Sequence, residues 1–129
     1  MKYASTILIV IATLAFSSLA MAQDDAQPSE DPTVVDSAHY RVVFENDQVR
    51  VLRITYGPHE KSVMHYHPAG VAVFLTDYTG TFTLPDGQTV EFEARAGEAI
   101  WAEAGSHLPE NLRDEPLEVI LVELKMPED

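Results

Sequence analysis

The sequence predicts an all-β domain, a sandwich or barrel of short antiparallel strands, over residues 39–129. Three observations carry that expectation. Runs rich in Val, Ile, Leu, Tyr and Phe recur at short intervals, two of them alternating apolar with polar residues. After residue 22, no stretch keeps apolar residues at helical spacing for more than about a turn. Prolines and glycines punctuate the chain throughout, as turns between many short strands require.

The elements follow in order. Tyr40 to Glu45 and Val49 to Tyr56 read as strands, with Asn46-Asp47 as the turn between them. His65-Tyr66-His67 reads as an extended segment. Val71 to Thr76 is an apolar run short enough to be a buried strand. Thr81 to Leu84 and Val90 to Arg95 alternate cleanly, and Pro85-Asp86-Gly87 between them holds the Asp-Gly pair of a tight hairpin. Leu117 to Leu124 is the last strand, closed by Pro127. Trp101, Phe74, Phe82 and Phe92 are expected in the core.

The segment before the domain has a different character. Lys2, the apolar run Ile7 to Phe16 and the small residues leading to Ala20 and Ala22 have the order of an export signal ending at residue 22. The run is too short for a membrane-spanning helix, which takes about 20 apolar residues. A periplasmic or secreted location is therefore expected. Residues 23–38 are rich in carboxylates and poor in large apolar groups, so they are expected to be a disordered acidic linker. The chain has no cysteine, which excludes disulfides, thiolate metal sites and cysteine nucleophiles. Its net charge is −13, and every one of its 21 acidic residues lies beyond residue 22. Such a field repels nucleic acid and anionic membrane surfaces and attracts cations.

Chemistry concentrates in the histidines. His65 and His67 lie at i and i+2, so on a strand they share a face. His107 can join them only if the chain folds back as a sheet. Three neutral imidazoles converging on a point suit a divalent transition metal: iron, zinc, copper, nickel or manganese. His39 and His59 fall outside this frame and are expected to be surface or hydrogen-bonded residues. Tyr66 faces away from its flanking histidines.

These segments resemble the two sequence motifs of the cupin superfamily. Gly57, His65, His67 and Gly80 follow the first, although seven residues rather than five separate Gly57 from His65. Gly97, Gly105, His107 and Asn111 follow the second, with Glu103 where the family has proline. The resemblance spans roughly Phe44 to Leu124 and implies a small antiparallel jelly-roll β-barrel with a metal in its mouth, held by His65, His67 and His107. The family's glutamate ligand falls at about position 71 or 72, and this chain has Val71 and Ala72 there. Glu103 and Asn111 are the additional candidates, the first as a replacement ligand, the second to orient an imidazole or a water. Val71, Val73 and Leu75 are expected to line an apolar pocket.

Function then divides into three classes. The first is a metal-dependent enzyme, a dioxygenase or hydrolase acting on a small organic acid, diketone or phenolic compound. The second is a non-catalytic module that captures a small ligand or a metal. The third is a metal-free cupin acting through subunit contacts, with a homodimer left open. A small molecule is the expected partner in the first two.

Overall fold

The computed structural model describes residues 30–127. The expected export signal and residues 23–29 of the expected linker lie outside the described residues. Within them, one short helix, α1 (Pro32–Val35), precedes nine strands: β1 (Tyr40–Glu45), β2 (Val49–Tyr56), β3 (His65–His67), β4 (Gly70–Phe74), β5 (Tyr78–Thr83), β6 (Thr89–Ala94), β7 (Ala99–Ala102), β8 (Gly105–Asn111) and β9 (Leu117–Leu124). They form a five-stranded sheet, β1-β2-β9-β4-β7, and a four-stranded sheet, β3-β8-β5-β6. Every pairing is antiparallel.

The pairing of β2 with β9 sets the inner face of the larger sheet. Leu52 lies opposite Leu121, Ile54 opposite Val119 and Tyr56 opposite Leu117, all buried. Alternation puts the next inward pair at Arg50 and Glu123, so this apolar row ends in two charged side chains. On β4 the inward residues are Gly70, Ala72 and Phe74, opposite Glu123, Leu121 and Val119. The opposite sheet contributes Tyr78 and Phe82 from β5 and Phe92 from β6. Gly87, in the turn joining β5 to β6, has φ 86° and donates to the Leu84 carbonyl at 2.9 Å, as the Asp-Gly signal requires.

Three expectations are corrected by this arrangement. Residues 30–38 are not a solvated linker. Asp31 caps α1 by accepting from the Thr33 amide at 2.8 Å, Pro32 is fully buried, and the Glu30 carbonyl accepts from the Tyr66 amide at 2.9 Å. Local composition concealed this because the acidic side chains there have specific partners elsewhere in the fold: Arg50 for Asp31, Ser62 and His39 for Asp36. Val71, Val73 and Leu75 do not line the interior; Ala72 and Phe74 do, and Leu75 is exposed. The larger side chains cover the outer face, beside Val122 and Trp101. Trp101 itself is 51% exposed rather than in the core, since β7 is an edge strand.

Two strand crossings admit only glycine. A Cβ on Gly70 would sit 2.0 Å from the Val122 carbonyl oxygen, and one on Gly80 2.1 Å from that of Glu110. Backbone cannot yield as a flexible side chain can. Gly70→Ala should therefore lower stability in urea unfolding by about 1–3 kcal/mol, the usual cost of overpacking. Gly105→Ala, whose Cβ would meet nothing within 4 Å, should leave it unchanged or slightly raised. Similar losses in both variants would mean that close approach is not what selects glycine at Gly70.

Candidate metal centre

Strands β3 and β8 build the centre. His65 pairs directly with His107, and His67 with Gly105, so all three imidazoles leave the same face of the smaller sheet. Their ring centroids are 4.7, 5.0 and 5.3 Å apart, and one nitrogen from each lies within 4.8 Å of the others. His65 and His67 are buried, while Tyr66 between them points outward and is 44% exposed.

Hydrogen bonds assign the tautomers. His65 Nδ1 lies 2.8 Å from the Val63 carbonyl oxygen, which only accepts, so Nδ1 carries the proton. Ser62 Oγ lies 3.2 Å from the same nitrogen and itself donates to Asp36. His67 Nδ1 donates to Glu123 Oε1 at 2.7 Å. Both Nε2 atoms are thereby left as lone pairs, and they face each other at 3.0 Å. Two lone pairs at that distance repel unless a proton or a metal cation lies between them. Tetrahedral zinc with nitrogens at about 2.05 Å would hold its ligand nitrogens about 3.3 Å apart, close to the observed spacing. The donor set fits a metal.

The outer partners fit it too. Glu123 is 1% exposed and accepts from His67 on one oxygen and from Arg50 Nε at 2.6 Å on the other. Arg50 in turn binds Asp31. Burial acts to raise the Glu123 carboxyl, but the hydrogen bonds from His67 and Arg50 outweigh it and hold it below its ordinary value. A carboxylate on Nδ1 of a ligating histidine fixes the ring and raises the basicity of the other nitrogen. His107 takes its orientation from packing, stacked on Phe82 at 4.9 Å and 12°.

Beside the imidazoles opens a cavity of about 250 Å³. His67 and His107 reach it, and Phe74, Tyr78, Phe82 and Phe92 form its aromatic wall. Ala72 also lines it, so the smaller of the two residues at the expected glutamate position is the one that faces the site. Glu103 stands at the rim, exposed, and accepts from the Trp101 indole at 2.9 Å; it is not part of the converging cluster. Asn111 is buried away from the imidazoles. Its amide donates to the Gly57 and Glu115 carbonyls and its oxygen accepts from the Arg113 amide, which makes it the clamp of the turn after β8. His39 binds Asp36 and Glu60, and His59 binds Asp114. Sequence reasoning missed Glu123, Arg50 and Asp31. The signal was present for two of them, since Arg50 and Glu123 keep the parity of the apolar rows Leu52-Ile54-Tyr56 and Leu117-Val119-Leu121.

Burial pushes His65 down to about 4 and His107 to about 3, reinforced in each case by the repulsion a neighbouring imidazole exerts once it is protonated. In the unfolded chain both titrate near 6.5. As pH falls below that value, the unfolded chain takes up protons that the folded chain refuses, so stability is lost down to about pH 4 and then 3. Metal-free protein should therefore lose stability steadily on acidification from neutrality, and His107→Leu should flatten that slope. Denaturant unfolding from pH 7 to pH 4 measures it; an unchanged slope in the variant would contradict the burial of a neutral imidazole.

No family model matches this chain, and no curated protein matches it. Solved structures do. A cupin domain protein from Bordetella pertussis Tohama I is 22% identical with a TM-score of 0.63, over 67% of this chain and 92% of its own. An RmlC-like cupin with a double-stranded β-helix fold from Methanocaldococcus jannaschii is 16% identical with a TM-score of 0.53, over 66% and 77%. The polyketide cyclase RemF from Streptomyces resistomycificus is 20% identical with a TM-score of 0.50, over 69% and 66%. The shared architecture is the double-stranded β-helix described above. What these likenesses share with this chain is the fold, the double-stranded β-helix that the cupin domain structures have.

Proposed function

We propose that this protein holds one divalent transition metal on His65, His67 and His107 and binds beside it a small, mainly apolar organic molecule whose oxygen donor completes the coordination. The observation that carries the reading is the pair of Nε2 lone pairs facing each other at 3.0 Å, each fixed by an acceptor on its Nδ1. Three imidazoles leave coordination positions open, and Ala72 leaves space on the cavity side. When bound, the metal supplies Lewis acidity toward an oxygen of the molecule.

The chain's own residues do the rest. Glu123 and Val63 hold His67 and His65 in the ligating tautomer. Phe74, Phe82 and Phe92 seat the apolar body of the molecule and exclude water from it. Polar side chains near the imidazoles are already engaged: Glu103 by Trp101, and the Tyr40 and Tyr56 hydroxyls by each other. Oxidation or hydrolysis of the bound molecule is the activity such a site serves. Export, inferred from the basic, apolar and small residues of positions 1–22, belongs to the same proposal.

Metal content after dialysis tests the site. His65→Ala and His107→Ala should lose nearly all bound metal, His59→Ala none, and Glu123→Gln should bind about 10–100-fold more weakly. Ala72→Glu should add an anionic oxygen and shift preference toward manganese, whereas Val71→Glu, on the outer face, should not. Equal loss in His59→Ala, or full affinity without Glu123, would contradict the assignment. For export, intact mass of the protein recovered from outside the cytoplasm should correspond to residues 23–129; a mass retaining residues 1–22 would refute it.

A further inference from the structure

One buried polar atom beside the cavity has no part in the metal centre. Tyr78 is 4% exposed, and its hydroxyl is the one buried side-chain polar atom among the described residues without a hydrogen-bond partner. It occupies the inner face of β5 with Gly80 and Phe82, and it lines the cavity. Its ring lies along the strand: a Cβ on Gly80 would stand 2.9 Å from its hydroxyl oxygen. Burial holds the phenol well above its ordinary range, so it is a donor at any physiological pH. Around it stand the Phe74 and Phe92 rings and the Tyr40–Tyr56 hydroxyl pair, and the nearby Glu110 carboxylate adds to the upward push on the phenol.

The geometry links this atom to the metal centre. Tyr78, Phe82 and His107 form one stack of near-parallel rings, each step tilted by 12°, with centroid separations of 5.9 and 4.9 Å. The unpartnered hydroxyl therefore belongs to a residue two ring steps from a metal-binding imidazole, along the same wall.

We infer that the cavity is built for a two-ended aromatic ligand, with a metal-binding oxygen at the histidines and a hydrogen-bond acceptor, such as a carbonyl, at Tyr78. This rests on the proposed metal reading for one end only. Tyr78 is then a specificity residue: it distinguishes a ligand carrying a distal acceptor from one of equal shape without it. A buried donor left unpaired destabilises the free protein and rewards the ligand that satisfies it.

The test uses two probes of matched shape, 6-acetyl-2-naphthoate and 6-isopropyl-2-naphthoate, titrated into the zinc-loaded full chain. The parent should prefer the acetyl probe, and Tyr78→Phe should bind it about three- to tenfold more weakly while keeping its affinity for the isopropyl probe. His107→Ala should weaken both probes alike. Without ligand or metal, Tyr78→Phe should melt a few degrees higher than the parent, because it removes an unpaired buried hydroxyl. The neutral pair 2-acetylnaphthalene and 2-isopropylnaphthalene, titrated into metal-free protein, reads the Tyr78 contact alone. Failure of the parent to take up zinc with acetyl preference retained there would sink the metal reading and leave this one standing. No binding of any probe, equal loss of both members of a pair in Tyr78→Phe, or a lower melting temperature for that variant would overturn the inference.

Discussion

The structure turns on one partly buried chain of paired side chains, Asp31–Arg50–Glu123–His67. It joins the segment before β1 to β2 and β9 of the larger sheet and to β3 of the smaller one. Two sheets facing each other across an apolar core are free to slide; a carboxylate fixed by a guanidinium on one side and an imidazole on the other is not. Such a chain adds little stability by itself, since desolvating the charges offsets most of their attraction. Removing one partner is another matter, because it strands a charge in the interior at a cost of about 3–5 kcal/mol. What the chain supplies is position: it sets the ring of His67 and thereby the direction of its free nitrogen.

That role explains how the centre keeps its shape although the residue that would add a carboxylate ligand is Ala72. Glu123 lies opposite Gly70 in the sheet and meets the far nitrogen of His67, not the face where the three imidazoles converge. The carboxylate that is present supports an imidazole from behind. On the cavity side the consequence is space, lined by Ala72 and the aromatic wall, where a ligand oxygen would otherwise compete with a protein one. The glycine at position 70 belongs to the same arrangement, since its missing Cβ lets β4 approach the backbone of Val122 beside Glu123.

Much of this was legible in the residues, and the failures have physical causes. Strands β1, β2 and β9 were readable to the residue because each is bounded by a turn pair or a proline and carries an unbroken β-rich run. The three histidines were readable because strand parity alone puts His65 and His67 on one face and antiparallel return brings His107 opposite. Strand β4 misled because both its faces are apolar, so composition could not tell Val71 and Val73 from Ala72 and Phe74; the glycine at Gly70 and its crossing decide the parity. Strand β7 is four residues long, too short for alternation to register. The acidic segment at 30–38 looked solvated because its carboxylates find partners up to 76 residues away, at Arg50, Ser62 and Ser106, which no local window sees.

In the proposed site, three imidazoles and no carboxylate form the protein's share of the coordination of a single metal. X-ray absorption on the full chain loaded with one equivalent of zinc measures this directly, because imidazole rings give outer-shell scattering that carboxylates and water lack. One tightly held zinc is expected, with three imidazoles at about 2.0–2.1 Å and its remaining positions filled by light exchangeable ligands. Two or fewer imidazoles, a protein carboxylate in the inner shell, or no retained zinc would contradict it.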